Sequence, residues 1–231
     1  MPARAHPGAA HRFFFAVFSL LRFALNLGFL ERPLAIGFLW AVMTGEWGLS
    51  MHIAIFLELF WLDLFPAGTY IPPNSIISLL LALSVAGHFG LESAGQLAIP
   101  MLLALPAALA GAHVEYLHRR WRNQQYTDLL HWGRVAEHPG KGDSPLWRIM
   151  VRSLGELFAL NLGLFCVCLL VLVGTIELMS NYIGHLPAVP GIAWGHVWFV
   201  GAMGGMLALR LRRAYVAFAL ALLAASAASF I

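Results

Sequence analysis

The stretch ELFWLDLFPAGTYIPPNSI, residues 58 to 76, decides how this chain is read. It sets two carboxylates, Glu58 and Asp63, into an apolar run and then breaks the run with Pro66, Gly68, Pro72 and Pro73. Proline removes a backbone donor and clashes with the preceding turn, so no regular helix passes through such a segment. In a water-exposed loop the freed N–H and C=O groups are solvated. In a lipid-embedded chain they must be met by the protein itself.

The remainder of the sequence points to the second setting. Of the 231 residues, 60% are hydrophobic and only 11% are charged. That is more apolar surface than one soluble core hides, and several runs approach the ~20 apolar residues that cross a bilayer. These runs lack the alternation of barrel strands, so the spanning elements are expected to be helices. The predicted class is all-α: a polytopic transmembrane helical bundle with re-entrant and broken helices, forming a single integral membrane domain over residues 1–231.

Residues 13–117 divide into five apolar segments, at about Phe13 to Leu30, Pro33 to Gly45, Leu49 to Phe65, Ser75 to Phe89 and Leu97 to Leu117. Arg119, Arg120, Arg122, Arg134, Lys141, Arg148 and Arg152 then crowd one polar region, and Arg210, Arg212 and Arg213 form a second basic knot. Basic loops beside spans mark the cytoplasmic side and anionic headgroups rather than nucleic acid. With Arg4 and Arg12 also cytoplasmic, an even number of crossings separates them from residue 118, so one or three of the five segments must enter and leave by one side. Pro33 to Gly45 and Ser75 to Phe89 are the shortest and are the expected re-entrant pieces, which survive only under cover of protein or a watery cavity. The N-terminus is expected to remain in the mature protein, because Arg22 interrupts its apolar core and no small-residue cleavage site follows.

Residues 118–147 form a cytoplasmic loop, with Trp121, Tyr126, Trp132 and Trp147 recurring among charges. That pattern suits an interfacial amphipathic helix ending near Pro139, and equally a solvated loop. Residues 148–231 supply the C-terminal spans: Ser153 to Leu178 outward, an uncharged turn at Asn181 to Pro190, Gly191 to Leu209 inward and Ala214 to Ile231 outward again. Small-residue clusters, AALAGA at 107–112 and GAMGGML at 201–207, let helices approach closely and predict a compact bundle or oligomer.

A carboxylate at mid-membrane costs ~2.5 to 3.5 kcal/mol, so Glu58 is expected to face protein or water. Asp63 lies about 140° around a continuous helix from it, so the two form no shared acid/base pair. Asp63 either joins the interior or sits at the membrane surface. Thr69, Tyr70 and Asn74 place polar side chains beside the backbone groups freed around Gly68 and Pro73. Together these read as a broken-helix binding site for a polar solute, with an external proline-rich loop as the other reading. Glu92 and Gln96 line the same cavity or form an interfacial turn. Glu156 has Arg152 at i−4 spacing, with Asn161 a further candidate pathway group. His196 reads as a hydrogen-bonded core histidine, and Cys166 and Cys168 as small apolar side chains. His113, Glu115 and His118 do not share one helical face, and no phosphate loop or dinucleotide fingerprint is present. No catalytic residue, metal ligand or cofactor is expected.

Over about half its length the chain resembles the membrane-embedded IIC subunit of the mannose/fructose/sorbose family of phosphotransferase permeases. The resemblance is carried by the Arg32-Pro33-Leu34 triplet, Glu58 with Gly68 ten residues later, Pro73 followed by a polar residue, SII at 75–77 and AIP at 98–100. It fades after Leu117 and revives faintly in GIAWGHVWFVGAMGGMLALRL at 191–211. It implies a hexose-like sugar carried inward across a bacterial inner membrane, a IID-type membrane partner, and soluble IIA and IIB proteins that phosphorylate the arriving sugar. It also leads us to expect an aspartate where Asn74 stands. Glu58, Asp63, Gly68, Thr69, Pro73, Asn74 and Gln96 are the expected sugar-binding residues. Rival readings are a non-transporting scaffold or sensor of the same fold, and an ion-coupled carrier.

Overall fold

The structure, a computed structural model, describes residues 32–62, 71–135, 145–208 and 216. Its elements are six helices: α1 (Pro33–Thr44), α2 (Trp47–Phe60), α3 (Ser75–Phe89), α4 (Ala94–Val135), α5 (Pro145–Ile183) and α6 (Trp194–Ala208). No strand occurs among the described residues.

The first two helices make a short antiparallel hairpin. Pro33 opens α1 at the position where its missing N–H leaves nothing unpaired, and Gly45 ends it at φ 78°, a left-handed conformation that side chains disfavour. Across the hairpin the Ser50 hydroxyl donates to the Gly37 carbonyl at 2.6 Å. A Cβ on Gly37 would stand 2.5 Å from that of Ala54, so glycine is what allows the two backbones to close.

The second hairpin, α3 with α4, repeats the plan. Gly90 ends α3 at φ 64°, and every residue from Ser75 to Ala86 is buried. A helix apolar on all faces belongs inside a larger body, and α3 fills that place. Its buried polar groups find partners across the seam: the Ser78 hydroxyl donates to the Ala104 carbonyl at 2.8 Å.

Among the described residues, two helices are long and apolar enough to span a bilayer, through Ala94–Asn123 of α4 and Val151–Ile183 of α5. Helix α4 does not end where its apolar segment does, at Leu117. With no proline or glycine between Gly111 and Gly133, nothing stops the turn, and α4 runs on to Val135. The polar region therefore begins as an extension of the span. Residues 136–144 lie outside the described residues, as do the apolar segments at 13–30 and 214–231 apart from position 216.

Helix α6 packs parallel to α2 through small residues. Cβ atoms on Gly201 and Gly204 would stand 2.8 Å from the Phe56 carbonyl and 2.5 Å from the Phe60 ring, and one on Gly205 would collide with the Leu59 carbonyl. The Trp198 indole donates to the His52 carbonyl at 3.2 Å, and the His52 ring lies against Trp194 and Trp198. His196, expected in the core, is instead exposed in the first turn of α6, where its Nδ1 accepts the Ala193 N–H at 3.1 Å. Helix starts carry unpaired N–H groups, which explains the pull on this ring.

Gly205→Ala should lower stability by about 1 to 3 kcal/mol, the usual cost of overpacking against backbone that cannot move aside. Gly155→Ala, where a Cβ meets open space, should leave stability unchanged. Thermal unfolding of both variants in detergent checks the contrast.

Candidate functional site

The two hairpins turn at the same end of the bundle. His52, near the Gly45 turn, lies against Trp194 at the start of α6. The loop before α6 is in turn tied to the start of α4, where the Val189 N–H donates to the Gly95 carbonyl at 2.9 Å. From this common end α1, α2 and α3 extend roughly 18 to 22 Å at 1.5 Å per residue, short of the ~30 Å hydrocarbon thickness. Their far ends are at Arg32, Glu58 to Trp61 and Asn74.

Glu58 ends α2 facing the start of α1. Its Oε1 accepts from the Arg32 guanidinium at 3.2 Å and its Oε2 from the Leu34 N–H at 3.2 Å. Arg32 itself makes no side-chain cap on α1. The carboxylate 26 residues away does that work, stabilised by the partial positive charge of the helix start. The Glu58 side chain is 14% exposed and that of Arg32 28%. A carboxylate offers about four lone-pair sites, so two protein donors do not exhaust it.

Asn74 stands at the start of α3, and its N–H donates to the Ala108 carbonyl at 2.9 Å. Ala108 lies at the midpoint of the apolar stretch of α4. The Pro72-Pro73 break thus lies against the middle of the candidate span of α4, with Ile71, Pro72 and Pro73 half-buried. Gly111 makes this fit possible, since a Cβ there would stand 2.9 Å from the Asn74 Cβ and 2.8 Å from the Ile77 Cδ1. Asn74 is 6% exposed, makes no side-chain cap, and among the described residues its buried Oδ1 finds no hydrogen-bond donor. Among those residues the buried indole N–H of Trp61, at the end of α2, likewise finds no acceptor.

Asp63, Gly68 and Thr69 lie outside the described residues. Gln96 is placed elsewhere. Its Oε1 accepts the Ser93 N–H at 3.2 Å and the Glu92 N–H at 3.3 Å, while its own N–H approaches the Ser93 hydroxyl at 3.4 Å. This is a capping box at the start of α4, about 18 Å along the helix from Ala108 by rise per residue. Arg32 and Trp61 join the site unforeseen. The partner of Arg32 is too distant in sequence to be read from spacing.

A second polar cluster joins α4 to α5. Glu156 accepts from Arg152 at 2.8 Å, as its spacing predicts, and from Arg122 of α4 at 2.8 Å. His118 is buried, with its Nε2 3.9 Å from Glu156, beyond hydrogen-bond reach. Asn161 is buried and donates to the Leu157 carbonyl of its own helix at 3.0 Å.

The Arg32 and Glu58 pair is testable by a double-mutant cycle with Arg32→Gln and Glu58→Gln. We expect a coupling of about 0.5 to 3 kcal/mol, with the double variant losing less than the sum of the single ones. Reversible unfolding in mixed micelles reads it, and a coupling of zero would remove the pair from the folded state.

Comparison with known proteins bears on this geometry. None of the curated proteins compared with the chain matches it. A solved chain described as "Structure of membrane protein" is similar in fold, with a TM-score of 0.54 and 17% identity, over 94% of this chain and 84% of that one. The family model for "PTS system sorbose-specific iic component" matches residues 9–138, more than half of the sequence. The chain therefore belongs to the sorbose-specific IIC family of the phosphotransferase system, whose members are integral membrane sugar permease subunits.

Proposed function

We propose that this chain binds a hexose-like sugar at the broken-helix level and carries it inward. It works there with a IID-type membrane subunit, while soluble IIA and IIB proteins phosphorylate the arriving sugar, and it resides in a bacterial inner membrane. The observation that carries this reading is the buried Oδ1 of Asn74, an acceptor beside the middle of α4 that meets no donor among the described residues. Leaving such a group unmet costs about 1 to 3 kcal/mol, a penalty that a hydroxyl of an entering solute removes. A hydroxyl also accepts, so one sugar group serves both the orphan oxygen and an unpaired N–H of the helix start. The remaining lone pairs of Glu58 take further hydroxyls by charge-assisted bonds. Asp63, Gly68, Thr69 and Pro73 complete the site in this proposal, and Gln96 acts on it from a distance by fixing the start of α4.

Asn74→Ala should weaken binding of labelled hexose about tenfold, the worth of one hydrogen bond, while stability stays equal or rises because a buried orphan is gone. Glu58→Gln should abolish uptake without reducing membrane insertion. Both are measured in vesicles holding the chain together with a IID-type subunit. Unchanged hexose affinity in Asn74→Ala would reject the site. A wild-type chain that captures its membrane partner but binds no sugar would be a scaffold, and uptake that collapses with an ion gradient would mark a carrier of another kind.

A further inference from the structure

On the outer face of α4, the exposed residues Leu102, Pro106, Leu109, His113, Tyr116 and Arg120 follow one another at spacings of three and four. Such spacing draws a continuous seam along one side of a helix. The seam is apolar as far as Leu109, changes to the paired rings of His113 and Tyr116, 6.3 Å apart, and ends on a guanidinium. From Leu109 to Arg120 it runs about 16 Å at 1.5 Å per residue, close to the depth of one leaflet. Arg119 borders the charged end with 55% of its side chain exposed, and Arg152 of α5 is 73% exposed at the same end. Arg119 pairs with Glu115, and Arg122 and Arg152 both pair with Glu156, while Arg120 stands exposed at the charged end of the seam.

We propose that this seam is a binding site for an anionic phospholipid, with an acyl chain along Leu102 to Leu109 and the headgroup phosphate between Arg119 and Arg120. The order of chemistry along the helix matches a lipid from tail to head. Tyrosine sits where the interface begins, and guanidinium forks lie at phosphate height. The inner-leaflet placement that basic residues favour brings the same site to the leaflet richest in anionic lipid. A soluble acidic partner would match the charge but not the apolar lane leading into the membrane.

The full chain in nanodiscs mixing phosphatidylglycerol with phosphatidylcholine, analysed by native mass spectrometry, tests this. The wild type should retain phosphatidylglycerol preferentially, Arg120→Gln should cut that preference about fivefold, and Arg119→Gln with Arg120→Gln should remove most of it. Arg120→Lys should restore most of the loss in the single variant, since a headgroup answers to charge. Arg120 is exposed at the end of the seam, so the single variant carries the test even where the double one fails to fold. Equal retention of both lipids by the wild type would overturn the proposal. So would undiminished preference in the Arg120→Gln chain, or stabilisation that appears only when an acidic soluble protein is added to phosphatidylcholine discs.

Discussion

A backbone group freed at bilayer depth has no water to turn to, and the architecture follows from where this chain finds substitutes. The Asn74 N–H reaches the Ala108 carbonyl, and the Leu34 N–H reaches the Glu58 carboxylate. Both donors belong to first turns, where no intrahelical acceptor exists. With those donors met by the protein, the short helices α1, α2 and α3 pack as arms of hairpins. The long helices α4 and α5 then serve as the walls that make this possible.

The same constraint explains where small residues fall. A donor at the start of α3 can reach a carbonyl of α4 only if the backbones are close, and Gly111 permits that approach. On the other flank, Gly201, Gly204 and Gly205 seat α6 against the carbonyl side of α2. In lipid, where tails are as apolar as leucine, association rests on close contact of this kind rather than on hydrophobic burial. Glycine is therefore spaced by three and four along α6, while the faces of α5 where Gly155, Gly163 and Gly174 meet open space make no such contact.

What could be read beforehand follows the range of each interaction. Helix α3 was predicted with the bounds observed, because Pro72, Pro73 and Gly90 are local punctuation. The apolar segment of α4 ends near Leu117 but the helix does not, because charged residues continue a helix as well as apolar ones do. The Ser93 and Gln96 capping box has a local signature and could have been recognised from spacing alone. The Arg32 and Glu58 pair spans 26 positions, so no periodicity betrays it, and Glu58 appeared solitary. Likewise His196 was assigned to the core because its neighbours are apolar, whereas its position in the first turn of α6 decides its role.

Charge at the break level bears on what kind of solute fits. Arg32 and Glu58 neutralise one another, and Asn74 is uncharged, so the described groups at that depth sum to nothing. An aspartate at position 74 would place a second negative charge at the start of α3, where the helix dipole would partly stabilise it and where a cation would be attracted. The amide avoids the desolvation of a buried charge, about 2.5 kcal/mol or more at mid-membrane. It keeps the acceptor and gives up the long-range field. Under the proposed sugar-binding role, groups so arranged select through the directions of hydrogen bonds rather than through charge, and a neutral polyol supplies many such bonds on a compact ring. Compared with an aspartate, the asparagine at this position removes a long-range attraction for cations and retains an uncharged acceptor.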